Sequence, residues 1–298
     1  PTTAWICTSA TPSAVVTAFD GYPLAKKGRA GEALGVSLVA SFVGGAVGII
    51  VLILFSGPLA RVALKFWPAE YFSLSVLGLS TIASMGGQNA LKSAISAVLG
   101  LLICTIGMDP VLGVSRFTFG NVNLFDGFEF IPMLIGLLAL SEVFAEVEKF
   151  DFTAESVAGS AKAKWPSLVY YWRLRMSMLR ASVIGTIVGI FPGAGATIAT
   201  FISYDVEKRF SRTPEEFGQG MPEGVAAAEA SNSASVGGAL VPMLTLGIPG
   251  SATAAVLMGA LMIHNLQPGP ELFVKSPELI YKLFASLLIG NVIMLILG

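Results

Sequence analysis

Charge is scarce in this chain, and so are the residues from which catalytic and redox sites are built. Asp, Glu, Lys and Arg make up 12% of its 298 residues, against about 25% in ordinary soluble domains. Histidine occurs once, at position 264, and cysteine twice, at 7 and 104. Cys104 lies in an apolar stretch and Cys7 near the start, so both read as small apolar residues; their spacing supports neither a disulfide framework nor a zinc site. A net charge of −1 without clustered basic residues excludes a nucleic-acid partner, because phosphate binding needs concentrated positive charge. His264 could pair with Ser251 for nucleophilic catalysis, but no nucleophile-elbow spacing and no third member accompany them. The sequence therefore reads as a non-enzyme, and His264 as an interfacial residue near a helix end.

Apolar residues are what the chain has in quantity: 54% are hydrophobic and the mean hydropathy is +0.76. A soluble fold of this size cannot hide that much apolar surface. Charge-free runs extend over Ala33–Ala60, Tyr71–Leu91, Ser93–Met108, Ala181–Tyr204, Ala230–Pro270 and Leu283–Gly298. As a helix the 28 residues of the first would be about 42 Å long, enough to cross a hydrocarbon core of ~30 Å with tilt. The expected fold is an all-α, polytopic integral membrane protein, a helical transporter with roughly seven to nine membrane segments, some of them broken or re-entrant. The chain opens on Pro1 and stops inside an apolar run, so an internal piece of a longer protein is expected.

Basic residues give the orientation. Lys26, Lys27, Arg29, Lys92, Lys149, Lys162, Lys164, Arg173, Arg175 and Arg180 fall in one set of connecting segments, and Arg61, Lys65 and Arg116 in the alternate set. Ten against three, in alternation, places the first set in the cytoplasm and the 109–128 loop outside. On this reading Asp20 and the Lys26–Arg29 run form a cytoplasmic topology anchor, and Asp109, Arg116 and Asp126 belong to a solvated outer loop. The stretch Trp165–Arg180 interleaves aromatic, aliphatic and basic residues, as a helix in the cytoplasmic headgroup layer would; an ordinary linker reads equally well. The expected organisation is a first membrane half over 1–148, a cytoplasmic basic and aromatic linker over 149–180, and a second membrane half over 181–298. Thr2–Gly31 matches Thr245–Pro270 weakly at an offset of 240 residues, suggesting two related halves of the kind secondary transporters use.

Two charge-free stretches are interrupted. Gly185–Tyr204 carries Phe191-Pro192-Gly193-Ala194-Gly195 at its centre, and Ala230–Pro270 carries Pro242, Gly247, Pro249 and Gly250. Proline removes a backbone donor and glycine relaxes the chain, so helices should break or re-enter at these Pro-Gly motifs. Freed backbone groups at bilayer depth must be buried in protein or face water. A half-helix starting after each break would aim its N–H groups at an anion, and the hydroxyls of Thr197, Ser251 and Thr253 could hold a cation. Asn232 is a candidate ligand through its amide, with a helix cap as its structural alternative; for the breaks the alternatives are packing glycines and simple kinks.

These motifs are familiar. PGAGATIATFISYDVEK, PEGVAAAEASNSASVGGALVPMLTLGIPGSATAAVLMGALMIHNLQPGPELF and FDGYPLAKKGRAGEALG resemble the large membrane subunit of the tripartite tricarboxylate transporter family, and the similarity runs along nearly the whole chain. The resemblance implies a multi-pass protein of the bacterial inner membrane. It also implies a small membrane subunit and a periplasmic solute-binding protein as partners, with membrane lipid around them. The implied activity is ion-gradient-driven uptake of citrate-like or other organic carboxylates, with no cofactor and with Na⁺, or alternatively H⁺, as the coupling ion. A passive anion channel, or a carboxylate permease without a binding protein, remains the competing reading. The substrate and ion site carried over with the motifs comprises Pro192, Gly193, Ala194, Gly195, Thr197, Asn232, Pro249, Gly250, Ser251 and Thr253, with Ser9 and Thr11 in the first half. There the chain reads Cys7-Thr8-Ser9-Ala10-Thr11-Pro12 where the family pattern has Asn-Ile-Pro-Gly. The family's other first-half Pro-Gly segment, partner of Pro192–Gly195, is expected upstream of Pro1.

Overall fold

The computed structural model describes residues 13–67, 69–70, 72–73, 76, 90–109, 113–128, 133, 144, 166–191 and 195–297. Most of the expected Tyr71–Leu91 segment and most of the 149–180 linker lie outside the described residues. Among the described residues the chain is helical apart from a two-stranded antiparallel ribbon, β1 (Gly107–Met108) against β2 (Ser115–Arg116). The helices are α1 (Ala14–Leu24), α2 (Ala30–Ala63), α3 (Ala90–Cys104), α4 (Leu168–Ile190), α5 (Gly195–Phe210), α6 (Pro222–Leu246), α7 (Ala252–Ile263), the single turn α8 (Leu272–Lys275) and α9 (Pro277–Leu297). A π-helical turn, Ala25–Arg29, joins α1 to α2, and Gly28 takes φ 78° there, a value that glycine adopts without a Cβ penalty.

Helix α6 is the centre of the fold, and small residues put it there. A Cβ on Gly44 or Gly48 of α2 would lie 2.1 or 2.7 Å from the carbonyl oxygens of Ala230 and Ala234. On another face, a Cβ on Gly185 or Gly189 of α4 would lie 2.3 or 2.4 Å from those of Ser231 and Ser235. Both pairs advance four residues together on each helix, so α2, α4 and α6 run parallel with their backbones nearly touching. The remaining contacts fix the other directions. Helix α1 runs against α6, since Thr17 meets Glu229 while Asp20 meets Gly218, Gly220 and Met221. Helix α9 joins α2 through Asn291, which donates to the carbonyl of Phe42 at 3.0 Å.

The end of the fold expected to face inward, its inner end, is polar and tightly tied. Lys27 donates to the carbonyl of Gln219 at 2.7 Å, Arg29 pairs with Glu32, and the Tyr170 hydroxyl donates to Glu32. Beyond this end the surface is apolar: Leu54, Phe55, Val183, Ile187, Ile289 and Ile296 are all exposed. Two stretches, Val15–Ala63 and Pro277–Leu297, are long and apolar enough to cross a membrane. Exposed apolar faces of this extent suit lipid or the apolar surface of a partner.

One expectation is sharpened and one needs correction. The break expected in the charge-free run Ala181–Tyr204 turns it into a helical hairpin. Ser177 and Arg180 on α4 both reach Glu207 on α5, at 2.6 and 3.2 Å, so the two limbs are antiparallel and their charged ends lie together. Each apolar limb, 181–190 and 195–204, has ten residues and measures about 15 Å, half a hydrocarbon core. The physical reason is the break itself, which lets the chain return Asp205 and Glu207 to the side that already holds Arg180. Pro242 does not interrupt its helix: α6 continues through it to Leu246. Neighbouring helices hold α6 on two faces, so the missing donor costs a ladder bond and not the helix.

Candidate functional site

Both interruptions mark real ends of helices. Helix α4 stops at Ile190, with Phe191 in an extended conformation, and α5 begins at Gly195, whose φ is +60°. Pro192, Gly193 and Ala194 lie outside the described residues, as do Ser9 and Thr11. Helix α6 ends on Gly247 in the left-handed conformation, its N–H bonded back to the carbonyl of Met243 at 3.1 Å. The chain then folds back. Gly250 is buried, and a Cβ there would lie 2.9 Å from the carbonyl oxygen of Gly189 and 2.8 Å from the Cα of Ala239. The second break thus rests against the last turn of the helix that leads into the first.

Depth follows from counting along α6. The last charged residue on it is Glu229, and the ten residues 230–239 place Ala239 about 15 Å further on, matching the limbs of the α4–α5 hairpin. The N-termini of α5 and α7 therefore open at a similar level, near the middle of an apolar layer. Helix α7 leads away from the inner end, because it starts beside Ala239 and the chain beyond it returns Pro268 to Gly247. His264 ends α7. With Ser251 at the other end, thirteen residues and about 20 Å away, the two cannot form a catalytic pair.

The remaining candidates are placed as follows. The Ser251 hydroxyl caps α7, accepting the N–H of Ala254 at 3.2 Å, and lies 3.0 Å from the Thr253 hydroxyl. Thr253 is exposed, while Pro249 and Thr197 are half-buried. The Thr197 carbonyl accepts the hydroxyl of Thr200 at 2.7 Å. Asn232 is not a cap, since α6 begins at Pro222. It sits in mid-helix, half-buried, three residues from Glu229 and so on the same face.

Two carboxylates matter more than the sequence suggested. Asp20 is no exposed anchor: it is 0% exposed. Its Oδ1 accepts the N–H groups of Gly218, Gly220 and Met221, each at 2.8 Å, and its Oδ2 accepts the Tyr204 hydroxyl at 2.7 Å. It thereby pins the inner end of α1 to the loop that starts α6. Glu229 accepts the hydroxyls of Thr17 at 2.8 Å and Ser41 at 2.9 Å. The signal available for Glu229 was its place at the edge of an apolar run; for Asp20, whose donors are backbone N–H groups about 200 residues away in the chain, the sequence carried none. At the far end of α7 a cavity of about 300 Å³ is lined by Met262, Asn265, Leu266, Glu271 and Lys275 among others. The Lys275 ammonium holds the Glu271 carboxyl below its ordinary range.

Residues 2–298 match the tripartite tricarboxylate transporter TctA family. The chain belongs to that family. It is 39% identical over 286 residues to an uncharacterized 52.8 kDa protein in the TAR-I ttuC' 3' region of Agrobacterium vitis, covering 96% of this chain and 57% of the relative. A second relative, from the TAR-II ttuC' 3' region of Agrobacterium vitis, is 42% identical over 114 residues, 38% of this chain and 47% of that protein. The chain thus spans about half the length of the curated relatives it matches. No solved structure matches it.

Proposed function

We propose that this chain forms the anion path of a secondary transporter that takes up tricarboxylates or related organic carboxylates across a bacterial inner membrane. The observation that carries this reading is the seat of Gly250 against the Gly189 carbonyl and Ala239. It sets two helix N-termini, those of α5 and α7, at one depth, about 15 Å beyond the last charge of α6. Helix N-termini present unpaired N–H groups and a positive dipole end, which suits a carboxylate without requiring an arginine in lipid. The α1 and α7 segments correspond under the 240-residue offset: Ala14–Leu24 moved by 240 gives 254–264, against Ala252–Ile263 for α7. One runs toward the inner end and the other away from it, as inverted repeats in transporters do.

In this mechanism a periplasmic binding protein delivers the anion to the outer face, where a small membrane subunit completes the assembly. The carboxylate then passes to the half-helix N-termini, and a cation, Na⁺ by the oxygen chemistry available, balances its charge before the inner side opens. Uptake of labelled carboxylates into proteoliposomes holding the full-length protein and its small subunit tests this, with and without binding protein and an inward Na⁺ gradient. Dependence on both is expected. Uptake indifferent to both would replace the reading with a passive channel. Gly195→Leu is the discriminating variant: its Cβ would meet nothing within 4 Å, and at φ +60° a leucine is strained by about 1–2 kcal/mol, a cost confined to the first residue of α5; it should stop uptake while the protein still inserts in the membrane.

A further inference from the structure

Glu229 has no role in the anion path, yet it is set where a charge is costly. It lies on the central helix, between α1 and α2; its hydrogen-bond partners are the hydroxyls of Thr17 and Ser41, and the Ser37 hydroxyl is close by. Among the described residues no Lys or Arg forms an ion pair with it. The contrast with Asp20 is chemical. The partners of Asp20 include three backbone N–H groups, which can only donate. Hydroxyls donate or accept according to rotation, so those around Glu229 can turn their lone pairs toward a positive charge. Together the two carboxylate oxygens and three hydroxyls offer five hard oxygens of the kind small cations select.

We propose that Glu229, with Thr17, Ser37 and Ser41, is a site for one monovalent cation that holds α1 against α2 and α6. The site is separate from the helix breaks, and only its role in coupling rests on the transport reading. Na⁺ and H⁺ share the chemistry of cancelling a single carboxylate charge, and the five-oxygen setting favours Na⁺. The nearest titratable or charged groups on the surrounding helices are otherwise engaged or distant in sequence. Asp20 on α1 is held by the α6 loop, Glu32 on α2 pairs with Arg29, Arg180 on α4 pairs with Glu207 on α5, and Glu223 lies six residues back on α6.

The test uses the purified full-length protein with its small subunit and reads the unfolding midpoint in two titrations. One replaces choline chloride by NaCl at constant ionic strength; the other varies pH without Na⁺. A saturable rise with Na⁺ is expected, absent in Glu229→Gln and shifted about ten- to hundredfold in half-saturation in Ser41→Ala, the scale on which lost ligand support weakens ion sites. A silent Na⁺ titration with a pH response that Glu229→Gln removes makes the cation a proton and leaves the site standing. A Na⁺ or pH response of equal size in Glu229→Gln, or no response in the wild type, overturns it. Should Glu229→Gln fail to assemble, unchanged half-saturation in both Ser41→Ala and Thr17→Val overturns it equally. Failed carboxylate uptake beside an intact, Glu229-dependent cation response would defeat the transport reading alone.

Discussion

Replacing Asp20 by Ala should weaken this fold more than any other single truncation at its inner end. The wild-type carboxylate is 0% exposed and receives four hydrogen bonds, three from backbone N–H groups that have no side-chain substitute nearby. A donor left without an acceptor costs about 1–3 kcal/mol where it is buried, and less where water reaches it, as at the exposed Gly218. Water entering the vacated space recovers part of this, so the expected loss is about 3–5 kcal/mol, the range seen when one partner of a buried charged group is removed. Asp20→Asn retains an acceptor oxygen for the N–H cluster and should cost roughly half as much. Thermal unfolding in detergent, followed by circular dichroism, reads the difference; at about 2 °C or more per kcal/mol the Ala variant should melt at least several degrees below wild type. A midpoint for Asp20→Ala within 1 °C of wild type would refute the latch, and a larger loss for Asn than for Ala would refute the accounting by orphaned donors.

Three further outcomes follow from the packing. Gly48→Leu should uncouple α2 from α6, because its Cβ alone would lie 2.7 Å from the Ala234 carbonyl oxygen; a marked fall in the melting midpoint is expected, where Gly57→Leu, with nothing within 4 Å, should melt as wild type. Ser251→Ala removes the cap of α7 and should cost about 1 kcal/mol, with uptake affinity for the carboxylate falling more than stability does if the N-terminus binds it. Glu207→Gln should loosen the α4–α5 hairpin by leaving Arg180 without its carboxylate, read as faster proteolysis in the 211–221 loop, whereas Asp205→Asn, whose Arg209 pair is exposed, should change little.

The membrane class, the α2 span and both helix breaks were legible in the sequence because each has a local cause: missing charge, or proline and glycine at fixed places. Ala33–Ala60 contains no alternative to a long helix and forms one from Ala30 to Ala63. In Ala181–Tyr204 the sequence showed the break but not whether the second limb continues across or turns back, because a run of that length suits either. The meeting of Arg180 with Glu207 decides between them, and that is a tertiary fact. Pro242 misled for the same reason, since a proline between packed neighbours looks in sequence like one at a break. Asp20 read as an anchor because its sequence neighbours are basic, while its actual partners come from the loop before α6. The glycines at 44, 48, 185 and 189 were visible only as composition; their four-residue spacing gains meaning once the carbonyls they admit are known.

Those glycines also determine which parts of the molecule are free to rearrange. Where backbone lies on backbone there are no side chains to exchange rotamers, and sliding by a fraction of a turn would drive a carbonyl into a Cα. Helices α2, α4 and α6 therefore behave as a single stiff plate. Helix α1 borders that plate through hydroxyl and carboxylate contacts, whereas the strap Gly247–Ser251 that leads into α7 is itself seated on the plate at Gly250. If access to the two faces alternates, the plate is the stator, and α1, whose side-chain contacts can exchange partners, is the part that turns.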